Sequence, residues 1–517
     1  MQITGGGRKA SISKGTYDLF IGNLVSTVVL AIASIIIGRL LGPDGYGLYT
    51  VVLVVPAYGY LFLQWGVSST ITRYAAKYTS EGNEKKAVAF SYTILVLHGA
   101  ASIALFALII QFTNSISNLL HRPELSGGII IQVALLAVVG QVLFNNANAA
   151  FVGFHSFGKA AILQIINAAA RLAISVVFIL VGYAVLGAVA GYTIGLITAG
   201  VVSFFLLVSE NMSFIPRNIE EYVRTTISYA PPVFFSNVVL SAITPLQYTI
   251  LVYVVSNREI GWYSAASNIA ALVTLFTYPL STALFPLFSK TVNGGTSSLG
   301  QAFKQSVKYS ALFIIPITVL IMSLATPLVS AIYGNAYQFA GNYLVYLAGL
   351  NLLAGVGHVS CGPFLNGVGE TRKAFLAAAL STIVSIAASV VLVAYTGVFG
   401  VIIGTALGQT VALVISLGFV YDLVKERLHG RSLLRIYFGS GVSAAVIYPL
   451  SLLNLNPFVT LFVGTILFIL ILIPILGWTK ALTTNDLIEL RGLFDEVKIV
   501  RYLFILVGRY RNLIVGE

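Results

Sequence analysis

Long apolar runs separated by short polar joints recur from residue 18 to residue 478. A helix that crosses a bilayer needs about twenty apolar residues. Runs of that length lie near 18–41, 48–76, 87–112, 128–152, 160–183 and 185–208. Six more fall near 228–254, 261–288, 306–333, 341–367, 374–396 and 398–421, and two last runs near 435–453 and 457–478. The pattern predicts an all-α polytopic membrane protein with about 14 transmembrane helices. The stretch 479–517 alternates charged with apolar residues, and its best apolar run, Tyr502 to Val507, is bracketed by Arg501 and Arg509. That run is too short to cross, so an amphipathic helix on the cytoplasmic surface is expected.

Composition and charge sharpen this picture. Of 517 residues, 58% are hydrophobic and 9% charged, against roughly 25% charged in soluble domains. The net charge of +12 is a topology signal. With the N-terminus inside, 25 of the 29 lysines and arginines fall in cytoplasmic segments. Only Arg39, Arg122 and Arg258 lie outside, and Arg171 stays within a span, a bias that follows the positive-inside rule. No zinc-finger, RNA-binding or basic-zipper spacing appears, so nucleic acid is not an expected partner. Arg8, Lys9 and Lys14 precede the first span without an apolar core of their own, which predicts that this span is retained. The single cysteine, Cys361, excludes an intrachain disulfide or a cysteine cage for a metal and is expected to be a small buried hydrophobe.

The chain also repeats itself. Gly47 and Tyr49 pair with Gly261 and Tyr263 at an offset of 214, and the segment Gly153 to Lys159 matches Gly367 to Lys373 at the same offset. Gly187, Gly191 and Gly195 match Gly400, Gly404 and Gly408 at 213. Six spans separate the copies, so both run in the same direction through the membrane. This is a parallel repeat of two six-helix bundles, with a substrate path expected between them. The glycines, four residues apart, let helices approach closely. The predicted divisions are residues 1–210 for the first bundle, 211–430 for the second, 431–478 for two further helices and 479–517 for the tail.

The segment Ile37-Gly-Arg-Leu-Leu-Gly-Pro-Asp-Gly-Tyr-Gly-Leu-Tyr49 resembles the opening signature of polysaccharide-transporter flippases. These are the O-antigen and oligosaccharide translocases of the multidrug/oligosaccharidyl-lipid/polysaccharide exporter superfamily. Glu259-Ile-Gly-Trp-Tyr-Ser-Ala-Ala266 and Asn366-Gly-Val-Gly-Glu-Thr-Arg-Lys373 resemble its second-half counterpart and its loop after the tenth span. The resemblance implies a two-lobed transporter that moves a polyprenyl-phosphate- or pyrophosphate-linked oligosaccharide from the inner to the outer leaflet. It also implies alternating access, a prokaryotic cytoplasmic membrane, membrane lipids as partners, and a proton, sodium ion or membrane potential as drive. The chain is expected to act as a monomer.

Polar groups inside spans are expensive and mark cavities or protein partners. Arg171 lies about eleven residues from either end of the fifth span, roughly 16 Å at helical rise, too deep for its guanidinium to snorkel out. Gln164, Asn167, Arg171 and Ser175 form one polar stripe, and Gln141, Asn145 and Asn148 form a second on the fourth span. His98 and Ser91 lie in the third span and His358 and Asn351 in the tenth, with His358 matching Asn145 at 213. Arg39 sits at a span end, as does Arg73; both read as interfacial anchors within reach of a headgroup. No aspartate or glutamate lies deep in any span, so a cationic central cavity with affinity for a pyrophosphate is expected around Arg171. The alternative for Arg171 is hydrogen bonding to neighbouring helices. For His98 and His358 such interhelical bonds are the favoured reading.

Gly5-Gly6-Gly7-Arg8-Lys9 lacks the spacing of a phosphate-binding loop, and no soluble stretch exceeds about forty residues. No carboxylate cluster or metal site suits a membrane-embedded enzyme. The chain therefore reads as a non-enzyme without cofactor or metal. A cation-coupled multidrug antiporter of the same superfamily is the alternative, disfavoured by the missing embedded carboxylate. A polytopic glycosyltransferase or polymerase is disfavoured by the duplicated spans.

Overall fold

The computed structural model describes residues 5–125, 128–209, 218–273, 288–289, 295–424, 430–453 and 455–482. Among these residues every regular element is a helix. Ten helices are long and apolar enough to cross a membrane, or eleven when the bent pair Ala340–Val356 and His358–Val368 counts as one span. These counts among the described residues do not confirm the expected fourteen spans one helix at a time, and the reason is local. Two of the ten, Tyr17–Leu63 and Phe157–Ser209, run for 47 and 53 residues. At 1.5 Å per residue each is more than twice as long as a hydrocarbon core of about 30 Å.

Each of these long segments is interrupted once by a glycine that no L-residue replaces without strain. In α1 (Gly5–Leu63) Gly42 has φ 66°. Pro43 follows it, where a fixed φ and a missing N–H suit the start of a new helix. Between α6 (Phe157–Phe178) and α7 (Ala184–Ser209), residues Ile179–Tyr183 form a π-helical turn with Gly182 at φ 105°. The expected second span breaks at Gly66, φ 69°, so it is carried by the end of α1 and by α2 (Val67–Ser80). From residue 274 to 287 the expected eighth span, near 261–288, lies outside the described residues, as does the surface helix expected within 479–517 beyond Leu482.

The chain divides into two compact units, one of residues 1–264 with 389–401 and the other of 265–388 with 402–517. The first holds α1, α2, α3 (Glu84–Ile109), α4 (Thr113–Leu119), α5 (Ile129–Gly153), α6, α7, α8 (Ile219–Ser241), α9 (Ile243–Val254) and the start of α10 (Asn257–Ala271). Its core gathers Ile71, Phe90, Leu95, Phe151 and Leu163, all fully buried. The helices α5, α6 and α7 pack closely because glycines face backbone: a Cβ on Gly140 would meet Ile197 N at 2.6 Å.

The second unit holds α11 (Gly295–Ser323), α12 (Ala325–Tyr333), α13 (Ala340–Gly349), α14 (His358–Val368), most of α15 (Thr371–Thr396), α16 (Val398–Val424), α17 (Gly430–Leu452) and α18 (Pro457–Trp478). Phe288, Phe303 and Phe364 meet edge to face at its centre, with centroids 5.1 and 5.2 Å apart. Cys361 is buried in the same cluster as a free thiol, as its apolar setting predicts. The two last spans pack on this unit, α17 against α11, and Gly464 of α18 against Leu324.

Candidate functional site

The site is built on the seam between α6 and α7. A Cβ on Gly187 would meet the Phe178 and Ile179 backbone, on Gly191 Ser175, and on Gly195 Arg171. The glycine stripe thus forms a groove that holds the stem of Arg171. Its guanidinium lies 4.3 Å from the centroid of the Tyr192 ring and close to the buried Tyr49 hydroxyl of α1. No carboxylate pairs with Arg171 among the described residues.

Magnitudes explain why the charge is tolerated. Inserting an arginine at a helix centre costs about 2.5–3.5 kcal/mol on the translocon scale. A desolvated cation–π contact returns about 2 kcal/mol, and the neighbouring Tyr49 hydroxyl adds a favourable dipole. Two neutral tyrosines therefore offset the cost and leave the full positive charge in place. A guanidinium has five N–H donors, so donors are at hand for an anion.

Tyr192 also lines a cavity of about 250 Å³. Tyr60 and Gln64 of α1 and its end, Gln141 of α5 and Ser241 of α8 supply its other polar groups, and Pro56, Ala57, Leu61, Ala137, Val138 and Pro245 its apolar wall. The Gln64 Oε1 is buried there without a partner. Asn145 donates from Nδ2 to the Tyr60 hydroxyl at 2.6 Å, so it sets the orientation of a cavity residue. Arg171 and Asn145 thus approach one cavity through Tyr192 and Tyr60. Elsewhere on the polar stripe, Asn167 is buried with an unpartnered Oδ1, Gln164 is half-buried, and Ser175 donates to the Ala188 carbonyl.

Two other predicted residues, Asn148 and His98, tie helices together. Asn148 donates to the Ala160 carbonyl and ties α5 to α6. His98 Nε2 donates to the Leu63 carbonyl at 2.8 Å, and its Nδ1 accepts from Asn146 Nδ2 at 2.8 Å. The Asn146 Oδ1 in turn accepts from Ser68. This chain fixes a neutral histidine and satisfies the carbonyl released where α1 breaks. His358 stands at the start of α14, in the second unit, after Gly357 at φ 103°. Arg39 is exposed three residues before the Gly42 break.

Sequence reasoning missed Tyr60, Tyr192, Gln64 and Asn146. Tyr192 carried a signal, since it sits beside Gly191 in the repeated stripe; an aromatic there must reach past the groove. Gln64 and Asn146 carried none, because the helix break that gives them their roles is invisible to hydropathy.

A second arrangement joins the repeated turns themselves, within the first unit. A Cβ on Gly47 would overlap the Asn257 carbonyl, and one on Gly261 would overlap the Pro43 carbonyl. Asp44 receives Arg258 at 2.8 Å, and Ser264 donates to Thr50 at 3.1 Å. Each pair is 214 residues apart or crosses between such positions, so the repeated motifs bind each other.

Residues 36–341 match the model of a family described as polysaccharide biosynthesis protein. A curated relative of Haloferax volcanii, named "Probable low-salt glycan biosynthesis flippase Agl15", is 23% identical over 211 residues. That match covers 40% of this chain and 44% of the relative. Among solved structures, a lipid II flippase in an inward closed conformation aligns with a TM-score of 0.70 at 16% identity, over 88% of this chain and 97% of that one. An inward-facing multidrug resistance transporter of the MATE family aligns at 0.64 and 16% identity, over 79% of this chain and 98% of its own. These likenesses establish a shared fold.

Proposed function

The chain belongs to the polysaccharide biosynthesis protein family, and from that premise we propose that it is a flippase for a lipid-linked oligosaccharide. Its substrate is a glycan on a polyprenyl phosphate or pyrophosphate, carried from the cytoplasmic to the outer leaflet of a prokaryotic plasma membrane by alternating access. Both termini face the cytoplasm, the drive is an ion gradient or the membrane potential, and no covalent chemistry is performed. The observation that carries this reading is Arg171, set by Tyr49 and Tyr192 beside a cavity of mixed polarity, with no carboxylate paired to it among the described residues. An uncompensated guanidinium suits a phosphate that arrives and leaves. Amide and phenol groups around the cavity suit sugar hydroxyls. The Haloferax relative's name points the same way. A cation antiporter, the other reading, calls for an acidic group, and the cavity lining contains none.

Reconstitution with a fluorescent lipid-linked oligosaccharide tests the proposal. Arg171→Ala is expected to abolish translocation while membrane insertion and yield persist. Arg171→Lys, which keeps the charge but loses the bidentate fork, is expected to retain a small fraction. Translocation by Arg171→Ala at the unmodified rate refutes the cationic site.

A further inference from the structure

The break between α1 and α2 separates two compartments of different character. Leu61 and Gln64 face the cavity of mixed polarity, whereas Phe62, Leu63 and Trp65 face a groove of about 590 Å³ on the other side. That groove is walled by Ala101 and Leu105 of α3 and by Ile227, Ala230 and Phe234 of α8, and its lining is almost wholly apolar. Phe62, Trp65 and Ile227 are 66%, 57% and 64% exposed, so the groove is open rather than filled by the protein.

A cation stands near one end of the groove. Arg73 of α2 lies 4.4 Å from the Tyr229 ring centroid, and Tyr229 immediately precedes the groove residue Ala230. Six residues of α2 separate Arg73 from Val67 in the groove wall, roughly 9 Å at helical rise. Lys77, the next cation along α2, is taken up by Glu81 at 3.9 Å. Arg73 is exposed and pairs with no carboxylate among the described residues.

An apolar trough with an exposed guanidinium near its end, stacked on tyrosine rings but paired with no carboxylate among the described residues, and sharing the 61–65 wall with a second cavity, matches an amphiphile with an anionic joint. We propose that the groove seats the isoprenoid anchor of the lipid-linked glycan, with Arg73 contacting its phosphate. This assignment rests on the flippase reading and names the part of the substrate bound outside the Arg171 cavity. Charge complementarity at Arg73 and the shared wall at residues 61–65 select this occupant over an uncharged lipid.

The test uses the full chain in nanodiscs of neutral phospholipid with a diazirine-bearing polyprenyl phosphate as probe. Photolabelling is expected on the peptides that contain Trp65 and Phe234. Excess unlabelled polyprenyl phosphate should remove the label, and equal phosphatidic acid should not. Ala101→Trp, a change at an exposed position that fills the groove, should weaken probe binding about tenfold, as should Arg73→Ala. Labelling confined to other helices, or equal competition by phosphatidic acid, overturns the assignment. Wild-type translocation without groove labelling also overturns it and leaves the flippase reading intact. Selective groove labelling without translocation sustains the lipid site and removes the transport reading.

Discussion

The α6–α7 seam and the α15–α16 seam carry the same packing code. In the first, Gly187 lies on the Phe178–Ile179 backbone and Gly195 on Arg171; in the second, Gly400 lies on Leu392–Val393 and Gly408 on Ser385. Phe178 and Leu392, like Arg171 and Ser385, are 214 residues apart, while Gly187 and Gly400, like Gly195 and Gly408, are 213 apart. The first copy therefore has one extra residue between the two sides of its seam, where Ile179–Tyr183 form a π-helical turn. A π turn accommodates one additional residue, so the seam keeps its register. What differs is the residue that the glycine receives: a long cation in one copy, a short hydroxyl in the other. Glycines fix how closely the helices approach, and that spacing is indifferent to the head of the side chain beyond its stem. The charge could thus be placed in one copy alone.

This comparison is most exposed to substitutions in the two seams. In Gly195→Ala the new methyl meets the Arg171 Cα at 2.8 Å, and in Gly408→Ala it meets the Ser385 Cβ at 2.8 Å. Both should lose about 1–3 kcal/mol of stability through overpacking, read as a lowered midpoint of thermal unfolding in detergent. Only Gly195→Ala should also reduce translocation per folded molecule, because only there does the displaced stem carry the charge. Equal functional losses would mean that both copies hold working chemistry.

The junction of the repeated turns offers a smaller effect. Gly47→Ala overlaps the Asn257 carbonyl, whereas in Gly45→Ala the methyl meets the Leu41 Cβ at 3.1 Å. The first should cost about 1–3 kcal/mol and the second clearly less, and similar midpoints would show that the crossing at Gly47 yields easily. The smallest effect is electrostatic and serves as a baseline for Arg171. The hydrogen bond from Lys86 at 3.0 Å holds Glu221 below the ordinary carboxylate range. With its pKa lower folded than unfolded, Glu221 contributes stability above about pH 4.3 and loses it as pH falls through the folded value. For this exposed pair the loss should stay under about 1 kcal/mol, and Glu221→Gln should remove that part of the acid dependence.

How much could be read beforehand follows from which forces leave a trace in sequence. Apolar runs located the helices, since lipid demands length and hydropathy together. The glycine spacing located both seams, and the cost of burying a guanidinium singled out Arg171. The break at Gly42 falls where the first apolar run ends, whereas the break at Gly66 was harder, because a single positive φ in a continuous apolar run changes no average. His98 shows the consequence. Its reading as an interhelical link was legible from its place inside a span, but its partner, the Leu63 carbonyl, is free to accept only because the helix ends there. The cavity wall draws on α1, α5, α7 and the α8–α9 joint, so no local pattern could assemble it.

The pairing of Arg171 with Tyr192 also constrains how the chain is made. Tyr192 lies 21 residues beyond Arg171, and a ribosome adding roughly 5–20 residues per second supplies it about one to four seconds later. Tyr49 is synthesised long before. During that interval α6 carries a cation that lacks half its shelter, so it gains from waiting until α7 can enter the lipid with it. The short turn at Ile179–Tyr183 lets the two helices partition as one closed hairpin, so the aromatic contact proposed to hold the charge for transport also shelters it during insertion.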